Sequence, residues 1–428
     1  MSGGRRAFGS VGVRAVQRWG INRLRRSRFF PVTIPDKLGD DDQLAGATLR
    51  HRVLVYFPDT MESLYQITPW LPAFEALCAQ APVVIVCQDS RTAAALRRAT
   101  SVDVLTIARY GRLDDLLSRS DVAVALYVSH SSRNFECLRF TSMLHVYLGH
   151  GDSDKGVSVS NQVKAYDYCF VAGQAAVDRM ALRIPLYDAA ERCLIIGQPQ
   201  LDAIAAPPAP GRHERPVVLY APTWEGAQPS VAYSSVVSHG EAIARSVLDD
   251  GNLTLLYRPH PLTGVTSKDY GAADGRIRAL VAEADRRDPG AGHHVDTSAA
   301  MERALTTADV LVCDVSGVAL QWLPTGRPFV LTTPASPEAV VAETPIARAV
   351  PHLEREQAPR TAALVREALE VDPGRAARQA LIAYYLSDVT PGAATAAFVS
   401  AALRCAAERD AVLSELELAH ERRHADGP

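Results

Sequence analysis

The sequence predicts an α/β protein of two successive parallel-sheet domains with a cleft between them, a basic N-terminal extension and a C-terminal helix. Two observations carry this prediction. From about residue 46 onward, short apolar runs alternate with longer helical patterns, the rhythm of parallel strands joined by helical crossovers. The rhythm breaks at Ala206–Pro216, "APPAPGRHERP", and then starts again; a proline-rich break of this kind reads as an interdomain linker. Length agrees, because 428 residues exceed one core and leave room for two or three units of about 150 residues.

In the first half the candidate buried strands are Arg52–Phe57, Ala81–Cys87, Val102–Ala108, Asp121–Ser129, Met143–Gly149, Tyr166–Gly173 and Arg192–Gly197. Each is a nearly continuous apolar run, as a strand covered on both faces requires. "LPAFEALCAQ", "RTAAALRRAT" and "AAVDRMAL" carry helical patterning between them. In the second half the strands are Val217–Ala221, Leu253–Arg258, Asp309–Asp314 and Pro328–Thr333, with helices over "GEAIARSVLDD" and "GVALQWL". These halves read as two Rossmann-like domains. The tail from about Asp372 is rich in alanine and helix formers, and its last stretch, "CAAERDAVLSELELAHERRHADGP", reads as a solvated helix that frays.

Composition closes off several classes. With 47% hydrophobic and 22% charged residues the chain is not a disordered one. A net charge of -3 argues against a protein that coats nucleic acid. The seven cysteines are odd in number and never in a CxxC pair, so they read as reduced and buried. No apolar run reaches the roughly 18 residues of a membrane-spanning helix. No GxGxxG follows the first strand, where "FPDTMES" stands, so a dinucleotide-binding dehydrogenase is not expected. The first 30 residues hold eight arginines and no acid. Two readings of them stay open: a contact with anionic lipid, or a disordered basic tail.

Four polar clusters stand at strand ends, where open α/β sheets bind ligands. They are "GHGDSDKG" (Gly149–Gly156), "APTWEG" (Ala221–Gly226), "RPHP" (Arg258–Pro261) and "CDVSG" (Cys313–Gly317). Each alone has a bland account as a turn or a helix cap. Together they assemble a phosphate site. Ser316 opens a helix whose free N–H groups favour an anion, and Arg258, Thr223 and Lys155 add donors. His150 and His260 titrate near neutrality, as proton transfer requires.

In this order, Gly-His-Gly with Lys155 four residues after the second glycine, then "GQPQLD", "LYAPTW", "RPHP" and "DVLVCDVSG", residues Tyr147 to Thr333 resemble the CDP-glycerol glycerophosphotransferase family of teichoic acid primases and polymerases. The resemblance implies a GT-B-like fold and a CDP-glycerol or CDP-ribitol donor. It implies a lipid-linked or polymer acceptor, no nucleic acid partner, and a place at the inner face of the cell membrane, reached through the basic N-terminus. Residues 1–45 then form the extension, 46–205 the acceptor-side domain, 206–390 the donor-binding domain and 391–428 the helical tail. His150 and His260 are the catalytic pair, His150 as general base. Arg258, Thr223, Ser316, Gly317 and Lys155 bind the donor phosphates. No cofactor is required, with Mg²⁺ on Asp152 and Asp154 as the alternative.

The chain departs from the family pattern at three places. His150-Gly151-Asp152-Ser153-Asp154-Lys155 stands for His-Gly-Thr-Pro-x-Lys, Asp314-Val315-Ser316-Gly317 for Asp-Tyr-Ser-Ser, and Gln200 for an arginine. Asp152, Ser153 and Asp154 are therefore where substrate selection is expected. Two rival readings follow: a GT-B glycosyltransferase using a nucleotide-sugar, and a silent nucleotide-binding relative.

Overall fold

The computed structural model describes residues 38–151, 160–202, 214–226, 232–298, 301–334, 336, 338–339 and 344–425. The arginine-rich segment, Asp152, Ser153, Asp154, Lys155 and most of the Ala206–Pro216 break lie outside these residues.

Two parallel sheets organise the chain. The first is built from β1 (Val53–Phe57), β2 (Val83–Cys87), β3 (Asp103–Thr106), β4 (Val124–Tyr127), β5 (Leu144–Tyr147), β6 (Tyr168–Val171) and β7 (Cys193–Ile195), in the order β3-β2-β1-β4-β5-β6-β7. The second is built from β8 (Val217–Ala221), β9 (Thr254–Tyr257), β10 (His294–Val295), β11 (Val310–Cys313), β12 (Phe329–Thr332) and β13 (His352–Leu353), in the order β10-β9-β8-β11-β12-β13. Every strand read from the sequence is present. The edge strands β10 and β13 were not read, because two residues carry no periodicity.

All five positions of β1, β2 and β8 are buried, which explains why these runs show no polar alternation. In both sheets the strand order turns back next to the first strand, between β1 and β4 and between β8 and β11. Loops leaving the carboxyl ends of such a pair diverge to opposite faces and open a crevice for ligands.

Contacts divide the chain into two compact units, Met1–His145 with Cys405–Pro428, and Val146–Arg404. In the first, the acidic stretch after the extension is an anchor. Asp40 accepts Thr106 N and an Arg97 N–H, each at 2.6 Å, and Asp41 is fully buried. The expected solvated tail is corrected: Cys405 is 1% exposed, Arg409 donates to Ser142 O and Asp121 at 2.7 Å, and Arg52 reaches Asp410 at 2.5 Å. The tail docks because its arginine and aspartate pair with Asp121 and Arg52, which also pair with each other.

In the second unit the sheet β8–β13 is covered on both faces. Helix Arg375–Leu386 presses on the start of helix Gln174–Arg183. A Cβ on Gly173 would stand 2.5 Å from the Tyr385 carbonyl, so only glycine fits there. All seven cysteines are free and six are buried, as read. Among the described residues no helix is long and apolar enough to cross a membrane.

Candidate active site

The site begins at the central pair β8 and β11, where Ala221 lies opposite Cys313. The residue after Cys313 is Asp314, which is wholly buried. Its carboxylate accepts Thr223 N at 2.7 Å, Ser235 N at 3.2 Å to either oxygen, and Thr332 Oγ1 at 2.5 Å. Burial pushes this carboxyl above its ordinary range, while the donors pull the other way and reduce the shift. Asp314 thus ties three chain segments together, and Thr223 is held by its main chain, with its carbonyl accepting Ser234 Oγ at 2.8 Å.

Two residues on, Ser316 stands at the N-cap of helix Gly317–Trp322, extended at φ -158 and ψ 170. A serine here ordinarily caps the helix. This one does not: its Oγ is buried and has no hydrogen-bond partner among the described residues. Gly317 opens the helix beside it.

The loop after β9 brings Arg258 and His260. Arg258 pairs with the Asp296 carboxylate and donates to Ser298 Oγ at 3.1 Å and Ser298 O at 2.9 Å. Burial raises the Asp296 carboxyl, but Ser298 and the guanidinium outweigh it and hold it below the usual range. Arg258, expected on a donor phosphate, is therefore engaged within the protein. The bonds use Nη1 and one hydrogen of Nη2, so a phosphate would meet Nε–H and the second Nη2 hydrogen.

His260 Nδ1 accepts Leu262 N at 3.1 Å, which puts the proton of the neutral ring on Nε2. Its ring lies beside Trp224, tilted 28° with centroids 6.5 Å apart. With Nδ1 accepting, Nε2 is the nitrogen that carries the hydrogen in the neutral ring.

His150 is exposed, three residues past the end of β5. Gly149 turns the chain there with φ +67, a left-handed conformation that favours glycine. His150, Thr223, His260 and Ser316 all belong to the unit Val146–Arg404. Among the described residues no three His, Cys, Asp or Glu side chains converge as metal ligands do.

Four contributors were not singled out in the sequence. Asp296 has no motif around it, and Trp224 and Glu225 hide inside "APTWEG". Tyr270 lies in the first turn of helix Lys268–Arg287, where burial and the charges of Asp314 and Glu225 push its phenol up. The signal for Glu225 was available: an acid directly after a tryptophan at the end of a fully apolar strand.

Residues 140–336 match the family described as CDP-glycerol:poly(glycerophosphate) glycerophosphotransferase. No curated protein sequence matches the chain. Among solved structures it is similar to the wall teichoic acid polymerase TagF, with 12% identity over 93% of this chain and 97% of that one and a TM-score of 0.53. It is also similar to a glycosyltransferase from Rickettsia africae ESF-5, with 10% identity over 83% and 98% of the two chains and a TM-score of 0.51. At these identities the likeness is one of fold, and it makes the architecture GT-B-like.

Proposed function

We propose, from the match of residues 140–336 to the CDP-glycerol:poly(glycerophosphate) glycerophosphotransferase family, that this chain moves glycerol phosphate or ribitol phosphate from a CDP donor to a hydroxyl of a cell-envelope polymer. The acceptor oxygen attacks the polyol-bearing phosphorus, the bond to the bridging oxygen breaks, and CMP leaves. The hydroxyl proton passes to His150. His260 Nε2–H, Thr223, Ser316 and Gly317 hold the pyrophosphate and the charge that develops on it, with Arg258 and Lys155 as further cations.

The observation that carries this reading is Ser316. A buried serine hydroxyl at the N-cap, beside the β8–β11 junction and without a hydrogen-bond partner among the described residues, is a costly arrangement. A phosphate oxygen would satisfy it.

Incubation with CDP-glycerol, CDP-ribitol and a panel of nucleotide-sugars tests the proposal. CMP released from a CDP-polyol supports it. UDP released from a nucleotide-sugar would turn the assignment to a glycosyltransferase, and binding of CDP-polyols without turnover would make the chain a silent relative. The transfer as proposed uses no resident metal, so EDTA leaves the rate unchanged. Loss restored by Mg²⁺ would make the transfer metal-dependent, and loss of that dependence in Asp152→Asn or Asp154→Asn would place the metal there. The proposed location is the inner membrane face, and removing the arginine-rich segment is expected to release the protein from anionic vesicles.

A further inference from the structure

We propose that Glu225 is a positioning residue: it locks the loop after β9 to the loop after β8 and so sets the direction of the His260 Nε2–H. The activity readout for this proposal rests on the functional reading above; the geometry does not.

Glu225 is 5% exposed, and its carboxylate gathers four donors from one loop. Oε1 accepts Thr266 N at 3.0 Å, Thr266 Oγ1 at 2.9 Å and Ser267 N at 3.1 Å, and Oε2 accepts Gly264 N at 3.0 Å. Burial alone would raise this carboxyl, but the donors outweigh it and hold it below its ordinary value. Charge-assisted bonds of this kind are the strong class. They also finish a helix. Helix Lys268–Arg287 starts at Ser267 without a side-chain cap, and Glu225 places a negative charge at that positive end from a different strand-end loop.

The loop has little freedom to compensate for losing these bonds. Gly264 sits at φ +79, and a Cβ there would meet Gly271 Cα at 2.6 Å, so the loop already lies pressed on the helix. From Glu225 the constraint runs two ways to the same imidazole. On one side Trp224, its covalent neighbour, lies beside the His260 ring. On the other, the loop segment that Glu225 holds begins with Leu262 N on His260 Nδ1 at 3.1 Å and Thr263 N on His260 O at 2.9 Å. The donor is aimed before substrate arrives, which is the arrangement that stabilises charge without reorganisation. Glutamine cannot replace the carboxylate fully, because its NH₂ would face one of the N–H donors.

The test compares the full chain with Glu225→Ala and Glu225→Gln by amide hydrogen exchange and by turnover of CDP-glycerol. Exchange at Gly264, Thr266 and Ser267 is expected to accelerate at least about tenfold in the alanine variant, with glutamine between, as four bonds are lost or one is. kcat is expected to fall about 100-fold, the usual result of misplacing a group by 1 Å. In a His260→Ala background the same change should then cost nothing further. Unchanged amide exchange would overturn the proposal, and so would losses that multiply in the double variant. If the alanine variant fails to fold, the glutamine variant carries the same comparison. If wild type turns over no CDP-polyol, the functional reading falls. Amide exchange and the ¹⁵N shifts of the His260 ring, which need no donor, still decide the role of Glu225.

Discussion

Asp314 at the end of β11 accepts the backbone N–H of Thr223 at the end of β8 at 2.7 Å, which closes the main-chain junction where the second sheet reverses its strand order. Asp314→Asn keeps the shape but turns an NH₂ toward buried donors. The expected cost is about 2–3 kcal/mol for a buried donor left unsatisfied, measured as a lower urea midpoint with unchanged m. An unchanged midpoint would mean that the four contacts are not a unit.

Ser316→Ala should separate binding from stability. The buried Oγ has no hydrogen-bond partner among the described residues, so its removal is expected to shift stability by less than about 0.5 kcal/mol in the destabilising direction, or to raise it. kcat/KM for the CDP donor should fall on the order of 100-fold, as for loss of one donor to developing charge. Equal kcat/KM would leave Ser316 without a role in the site.

His260 should respond to what replaces it. Glutamine can present an N–H near the Nε2 position and alanine cannot. His260→Ala is expected to lower kcat on the order of 100- to 1000-fold, with His260→Gln recovering part of it. If the glutamine variant is as slow as alanine, donation is not what His260 contributes.

Gly149 and His150 should divide backbone from chemistry. A Cβ on Gly149 finds ordinary space, 3.5 Å from Tyr147 Oη, so Gly149→Ala should cost only the left-handed backbone penalty of about 1–2 kcal/mol. His150 is exposed, so His150→Ala should leave the melting temperature unchanged while lowering kcat by roughly 10²–10⁴ if it is the base. Thermal melts and single-turnover rates on both variants check this.

Acid stability should show opposed contributions. Asp296 and Glu225 sit below their ordinary values of 3.8 and 4.5. The stability they contribute is present above those values and is lost as pH falls through the lower folded ones. Asp314 sits above 3.8; its contribution is fully present below that value and declines as pH rises through the folded one. Asp296→Asn should therefore flatten the acid limb of a stability–pH curve, whereas Asp314→Asn should remove a decline on its upper side. Urea midpoints from pH 2.5 to 7 distinguish the two.

Much of the fold was legible because burial on both faces leaves a mark in one dimension. Runs such as Val53–Phe57 and Val217–Ala221 are continuous and apolar, and their rhythm with helices indicates parallel sheets before any coordinate is known. The strand-end clusters were legible for the same reason, since polar residues interrupt apolar runs where strands stop. Edge strands at His294–Val295 and His352–Leu353 were too short to leave such a mark. The docking of Asp40 and Arg409 was hidden because charged residues read as solvated until their partners are known.

The one-dimensional pattern carried the two-sheet architecture, the resemblance over Tyr147 to Thr333 and the set of polar side chains at the strand ends. Only the tertiary structure decided what those side chains do. That Arg258 pairs with Asp296, which nitrogen of His260 accepts a hydrogen bond, and that Glu225 joins two loops all depend on partners 2 to 42 positions away. Periodicity records how often a side chain is buried. It carries no record of which distant N–H or carboxylate meets it there, and in this site that pairing sets the chemistry.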